Sequence, residues 1–183
     1  MVFFTAVAGH AFTACQVTDT GGIDDNSFSQ TAWKGVEDAK AELGIEVRFL
    51  ESQAETDYAA NINSLIGGQC DLIVTVGFLL GDATKVAAEA NPGQKFSIVD
   101  YAYDPVVPNI LGQVYATDEA AFLGYLAAGM TKTGTVGTFG GINIPPVTIF
   151  MDGFVAGVTY HNAQKGTSVS ALGQGGAWQA AGL

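Results

Sequence analysis

The segment Thr18-Asp19-Thr20-Gly21-Gly22-Ile23-Asp24-Asp25-Asn26-Ser27-Phe28 concentrates more potential chemistry than any other stretch of the chain. Asp19 supplies a carboxylate that can accept paired hydrogen bonds from sugar hydroxyls or from the edge of a base. Gly21 and Gly22 permit a sharp turn and let backbone approach a ligand closely. A second job competes for the same loop. Asp24, Asp25, Asn26 and Ser27 are good capping residues for a helix that starts just beyond them, stabilising its exposed N–H groups and positive dipole end. Asp25–Ser27 therefore read best as caps. Asp19 lies too far upstream to cap and reads as a ligand contact.

Other constellations are sparse. His10 and His161 are far apart, and no Cys/His cluster has zinc-like spacing. No GxxxxGK[ST], GxSxG or GxGxxG occurs, which removes support for nucleotide hydrolysis, serine hydrolysis and dinucleotide binding. The expectation is a protein without metal, cofactor or catalytic set. Cys15 and Cys70 each fall near the start of an expected strand. If those strands are parallel neighbours the thiols lie within disulfide range; otherwise they are two buried, inert thiols. Phe12-Thr13-Ala14-Cys15 faintly resembles a lipoprotein cleavage site, although Cys15 sits inside the first expected strand.

The elements that must position these residues alternate. Strands are expected over 12–18, 46–50, 71–76, 96–99, 110–115, 135–139 and 168–172. Helices are expected over 28–43, from 56 or 57 to about 66, and over 82–90, 118–130 and 148–164. The helix at 28–43 carries Phe28, Ala32, Val36, Ala39 and Leu43 on one stripe, and the next turns Tyr58, Ile62 and Leu65 inward. Residues 71–76 (DLIVTV) form a near-continuous apolar run, as expected of a strand buried on both faces. Strand–helix alternation at this spacing means crossover units and a mainly parallel, doubly wound α/β sheet. Ligands of such sheets sit beyond the carboxyl ends of the strands, where Asp19 falls.

The chain divides into an N-terminal α/β lobe over 11–116, a partial second α/β lobe over 117–172 and an irregular tail over 173–183. The second lobe, with two strands and two helices, reads as incomplete. The 183 residues are 48% hydrophobic and 14% charged, a globular composition. Their net charge of −11 repels phosphate backbones and anionic lipid, so nucleic acid is not an expected partner.

The run VTDTGGIDDNSFSQTAWKG, residues 17–35, resembles the signature of the basic membrane protein family, the PnrA-like purine-nucleoside-binding lipoproteins of ABC importers. DLIVTVGF (71–78), FSIVDY (96–101), FLGYLAAGMTKTGTVG (122–137) and GINIPPVTIFMDGFVAGV (141–158) are similar to the same family. The resemblance implies a type I periplasmic-binding-protein-like fold and a non-catalytic, extracytoplasmic solute-binding role. That role would be in the periplasm or at the cell surface, with a membrane anchor allowed in a longer precursor and an ABC permease as partner. A nucleoside or related sugar would be held in a cleft between lobes, its base stacked between Phe28 and Phe150. Asp19 and Asp100 would make polar contacts, and Gly77 and Phe78 would line the cleft. Ser29 stands where the family usually has Asn, which would shorten or remove one base contact. Two alternatives come from other classes. One is a repurposed relative that self-associates through its incomplete second lobe as a structural subunit. The other is a calcium-dependent nucleoside hydrolase, whose aspartate-rich loop DTGGIDD distantly resembles.

Overall fold

A computed structural model describes residues 11–115 and 117–172. The chain splits into two units, Met1–Val114 and Tyr115–Leu183; the expected tail at 173–183 lies outside the described residues. In the first unit, strands β1 (Thr13–Thr18), β2 (Glu46–Leu50), β3 (Leu72–Val76), β4 (Lys95–Val99) and β5 (Ile110–Gln113) form one sheet. Its order is β2-β1-β3-β4-β5, and every pairing is parallel. Helices α1 (Phe28–Leu43), α2 (Tyr58–Gly67) and α3 (Gly81–Ala90) make the crossovers. The chain starts in the middle of the sheet, steps outward to β2, then returns past β1 to β3. That reversal makes β1 and β3 a topological switch point.

The main core lies on one face of this sheet. Cys15 and Val17 of β1, Ile73 of β3 and Ile98 of β4 pack there against Tyr58, Ile62 and Leu65 of α2 and Ala87 and Ala88 of α3. The inward set expected of α2 is thus observed, and each such large side chain contributes roughly 1.5–3 kcal/mol by leaving water. Cys15 and Cys70 form a disulfide buried in this core, with Cα atoms 6.0 Å apart. Cys15 lies within β1, so it acts as a core staple and not as the edge of a cleavage site. Closing 55 residues of sequence contributes about 4 kcal/mol by restricting the unfolded chain.

Helix α1 covers the opposite face, and the stripe expected for it needs correction. Its buried residues are Ser29 and Val36, while Phe28 is 45% and Leu43 72% exposed. Val36 is buried and Ala32 and Ala39 are half-buried as expected, so the stripe holds in its middle and departs at its two ends. The Gln16 side-chain amide donates to the Ser29 carbonyl at 2.9 Å and draws that residue onto the sheet. Gly44 ends α1 in a left-handed conformation, its N–H donating to the Lys40 carbonyl at 3.0 Å.

In the second unit, α4 (Asp118–Met130), β6 (Thr135–Gly137), α5 (Pro145–Lys165) and β7 (Ser170–Leu172) follow in order. β6 and β7 pair in parallel. Several boundaries differ from expectation, β7 among them, which starts at Ser170 instead of 168, and three have a visible reason. β5 stops at Gln113 because its ladder partner, Val99, is the last residue of β4. β6 stops at Gly137 opposite Leu172. α5 starts three residues early, since Pro145 and Pro146 occupy the first turn, where missing N–H groups cost nothing. α4 and α5 meet through glycines. A Cβ on Gly157 would lie 1.8 Å from the Ala121 carbonyl oxygen, and one on Gly124 would lie 1.9 Å from that of Phe154.

These contacts yield a paired prediction. Gly157→Ala forces two helix backbones apart and should cost about 2 kcal/mol or more in urea unfolding of the second unit. Gly35→Ala, in the middle of α1 with open space around it, should stabilise by about 0.5–1 kcal/mol. Equal effects from the two substitutions would contradict this account of the helix crossing.

Candidate functional site

The sheet register decides which residues meet at its carboxyl edge. Thr18 pairs with Val76, and Val76 with Val99. The next residues along the three strands are Asp19, Gly77 and Asp100, side by side at strand spacings of about 4.8 Å. Two carboxylates therefore flank a residue with no side chain, directly above the switch point. Gly77 has φ +104°, and a Cβ there would lie 2.6 Å from Asp19 Oδ2. Both the backbone conformation and the space demand glycine, and its absent side chain is what lets the Asp19 carboxylate lie over β3. The Gly77 N–H donates to the Val99 carbonyl at 3.1 Å, holding the row together.

The β1–α1 loop is shaped from several directions. Asp19 Oδ1 accepts the Gly21 N–H at 2.9 Å, and Asp19 Oδ2 has no hydrogen-bond partner among the described residues. Glu51, just beyond β2, accepts the Ile23 N–H at 2.7 Å and pins the far side of the loop. Of the expected caps, Asp25 does the work. Its Oδ1 accepts from the N–H groups of Ser27 at 2.8 Å and Gln30 at 3.1 Å, and its Oδ2 accepts from Ser29 at 2.9 Å. Ser27, the residue before α1, makes no side-chain cap. Partial burial works against the Asp25 charge, but these three donors outweigh it and hold the carboxyl below its ordinary value. Among the described residues no group of three or more His, Cys, Asp or Glu is arranged to hold a metal.

Asp100 is the counterpart of Asp25. It sits at the end of β4 with φ +68°, its N–H donating to the Gln113 carbonyl at 2.8 Å. Its carboxylate has no hydrogen bond or ion pair among the described residues, and burial alone pushes it above the usual carboxylate range. A desolvated carboxylate without a partner, at the mouth of a switch point, is the arrangement expected of a ligand contact.

Phe28 begins α1 at this same end of the sheet and is largely exposed. Phe78 follows Gly77 in a 3-10 turn, Phe78–Leu80, and is half-buried. Ser29 departs from its expected place: it is 1% exposed, and its Oγ is enclosed without a partner, beneath the loop instead of at the surface. Its carbonyl accepts from the Gln16 side chain and its N–H donates to Asp25, which hold it there. In the second unit, Phe150 is half-buried on α5, its ring 6.2 Å from that of Tyr115.

Sequence reasoning missed three members of the carboxyl edge. Glu51 shapes the loop as described. Tyr101, next to Asp100, lays its ring against Gly81, where a Cβ would come within 2.9 Å. The Tyr58 hydroxyl is buried near Thr20 but in no normal hydrogen-bond geometry. Burial first, and then the nearby Asp19 charge, push it above its ordinary value. Position immediately after a strand was the available signal for Glu51 and Tyr101; Tyr58 gave none beyond its place on the α2 stripe.

The two perturbed aspartates predict opposite pH behaviour. Asp25 is depressed in the folded state, so its contribution is present above the ordinary value of 3.8 and is lost as pH falls through the lower folded value. Asp25→Ala should cost about 1 kcal/mol in chemical denaturation at neutral pH, with the gap from wild type closing in acid. Asp100 is raised, so its ionisation destabilises the fold as pH climbs from 3.8 through the higher folded value. Asp100→Asn, which also tolerates positive φ, should unfold at a higher urea concentration than wild type at pH 7. That advantage should vanish below pH 3.8; a neutral-pH loss of stability would contradict the burial argument.

Comparison with known proteins follows the same lines. The family described as ABC transporter substrate-binding protein PnrA-like matches residues 12–176. Basic membrane protein A of Borreliella burgdorferi is 38% identical over 156 residues, covering 84% of this chain and 46% of that protein. The ABC transporter nucleoside-binding protein BmpA of Lactococcus lactis is 36% identical over 149 residues, covering 79% and 42%. The crystal structure of an ABC transporter solute-binding protein from Aeropyrum pernix superposes with a TM-score of 0.70 at 28% identity, over 87% of this chain and 46% of that one. An ABC sugar transporter subunit from Rhodobacter sphaeroides, at 16% identity and a TM-score of 0.57, shares the fold. The chain spans a little under half the length of the curated relatives it matches. With the family motif running through both units, the chain belongs to the PnrA-like substrate-binding proteins of ABC transporters.

Proposed function

We propose that this protein is an extracytoplasmic solute-binding component of an ABC importer and that its ligand is a purine nucleoside or a related sugar. The observation carrying this reading is the row Asp19–Gly77–Asp100. It offers two carboxylates at neighbouring strand ends, that of Asp19 lying over Gly77 and that of Asp100 half-buried without a hydrogen-bond or ion-pair partner among the described residues. Carboxylates accept hydrogen bonds from ribose hydroxyls and from base N–H groups. Phe28 supplies a stacking ring beside the row. In the same proposal Phe150, on α5, supplies the second stacking ring, and an ABC permease receives the ligand. No helix among the described residues is long and apolar enough to cross a membrane, so transport itself is assigned to that partner.

Isothermal calorimetry of the chain with guanosine, inosine, adenosine and free ribose tests the reading. Heat of saturable binding is expected with at least one nucleoside. Asp19→Asn should weaken it about tenfold or more, the loss of a charged acceptor. Phe28→Ala should weaken it by about tenfold through lost stacking. Binding of ribose alone would narrow the ligand to the sugar, and no heat with any of the four would overturn the proposal.

A further inference from the structure

Among the described strands, β2 forms one edge of the first unit's sheet, with its outer side unpaired. β2 hydrogen-bonds only to β1 among the described strands. The Glu46 N–H donates to the Phe12 carbonyl, toward β1. Alternation then turns the backbone N–H and C=O groups of Val47 and Phe49, and of the adjacent Ile45, outward. An edge presenting such groups is a template for another strand. Beside it, Trp33, Glu37, Lys40 and Ala41 of α1 and Val47, Arg48 and Phe49 of β2 line a groove of about 760 Å³. Phe49 is 41% exposed there and meets Trp33 edge-on at 5.0 Å between ring centroids.

The side chains along this edge are complementary to themselves. In an antiparallel pairing centred on Val47, Glu46 of one copy lies opposite Arg48 of the other, and Ile45 lies opposite Phe49. The outward-facing positions 45, 47 and 49 become the hydrogen-bonded pairs. Positions 46 and 48 become the non-bonded pairs, where opposed side chains come closest. Opposite charges therefore meet twice on one face, and apolar groups meet on the other. Arg48 is the only arginine in a chain of net charge −11, and it stands at this edge, anchored to the Gly68 carbonyl at 3.2 Å. The same two-fold operation sets two α1 helices side by side at about 10 Å, the ordinary packing distance. Glu37 and Lys40 of one copy then run alongside Lys40 and Glu37 of the other. A two-residue shift of register, which moves the centre to Arg48, would oppose Arg48 with Arg48.

We propose that two copies of this chain associate through antiparallel β2–β2 pairing centred on Val47, joining their sheets into one and burying the Trp33–Phe49 groove. The interface is isologous and leaves the carboxyl edge with Asp19, Gly77 and Asp100 open. Sedimentation equilibrium over a range of protein concentrations tests it. A monomer–dimer equilibrium is expected. Glu46→Arg and Arg48→Glu should each weaken it about tenfold by placing like charges opposite each other, and the double exchange E46R/R48E should restore it. In hydrogen exchange, the amides of Val47 and Phe49 should gain protection as concentration rises. A monomer at every concentration would overturn the proposal, as would a dimer indifferent to Glu46→Arg and Arg48→Glu or a failure of the double exchange to restore association.

Discussion

The absence of a side chain at Gly77 is the constraint on which the rest of the carboxyl edge depends. The Asp19 carboxylate occupies the volume that a Cβ at Gly77 would need. That placement fixes where the β1–α1 loop begins, since Asp19 Oδ1 receives the Gly21 N–H. The loop in turn delivers Asp25 to the first N–H groups of α1, and the Asp25 carboxylate keeps Ser29 buried and Phe28 outward. A bulkier residue at position 77 would thus act through a chain of contacts, from strand end to loop to helix, before any ligand was involved.

The two ends of the sheet are built differently. At the amino end, the Gln94 side chain donates to the Cys70 carbonyl at 2.9 Å. Asn109 donates to the carbonyls of Ala88, Asn91 and Gln94, and Asp71 accepts the Thr13 N–H at 2.8 Å. The Cys15–Cys70 disulfide closes the same region. Every polar side chain named there has found its partner. Toward the carboxyl end, Gln16 Oε1, Thr18 Oγ1 and Ser29 Oγ are buried without one, and Asp100 is desolvated. Buried polar groups are rarely left unmade. These orphaned groups lie on the opposite side of the unit from the well-partnered amino end.

Much of this was legible before any coordinates. The strands and helices of the first unit follow from apolar periodicity and from Gly44 and the Asn91-Pro92-Gly93 break, because those signals are local. Asp19 was legible because it follows a strand and precedes two glycines. Three features were not. Ser29 was expected at the ligand because the family resemblance puts it where an Asn usually stands, but its burial involves Gln16, thirteen residues away. Phe28 and Leu43, on the expected stripe, are exposed at the two ends of α1. The role of Glu51 depends on β2 lying beside β1, a fact of topology and not of spacing. Residues read as stripe or cap were right where local hydrogen bonding decides, and wrong where a partner from another element does.

The apolar composition of α4 and α5 shows the same division of labour from the other side. Gly124, Gly153 and Gly157 let the helix backbones approach to near contact, so the surface joining them is made of small residues. Phe122, Leu123, Leu126 and Met130 of α4 and Tyr160 of α5 are left exposed. In an isolated amphipathic pair the large side chains would fill the interface and the small or polar ones would face water. Here the interface is chosen by closeness of backbone, not by hydrophobic bulk. The tight crossing fixes the angle between the helices while the large groups remain available to other surfaces, whereas in the first unit the large groups are spent inside, on Tyr58, Ile62 and Leu65. The two units therefore join their elements through residues of different sizes, and a substitution scale learned on one would mislead on the other.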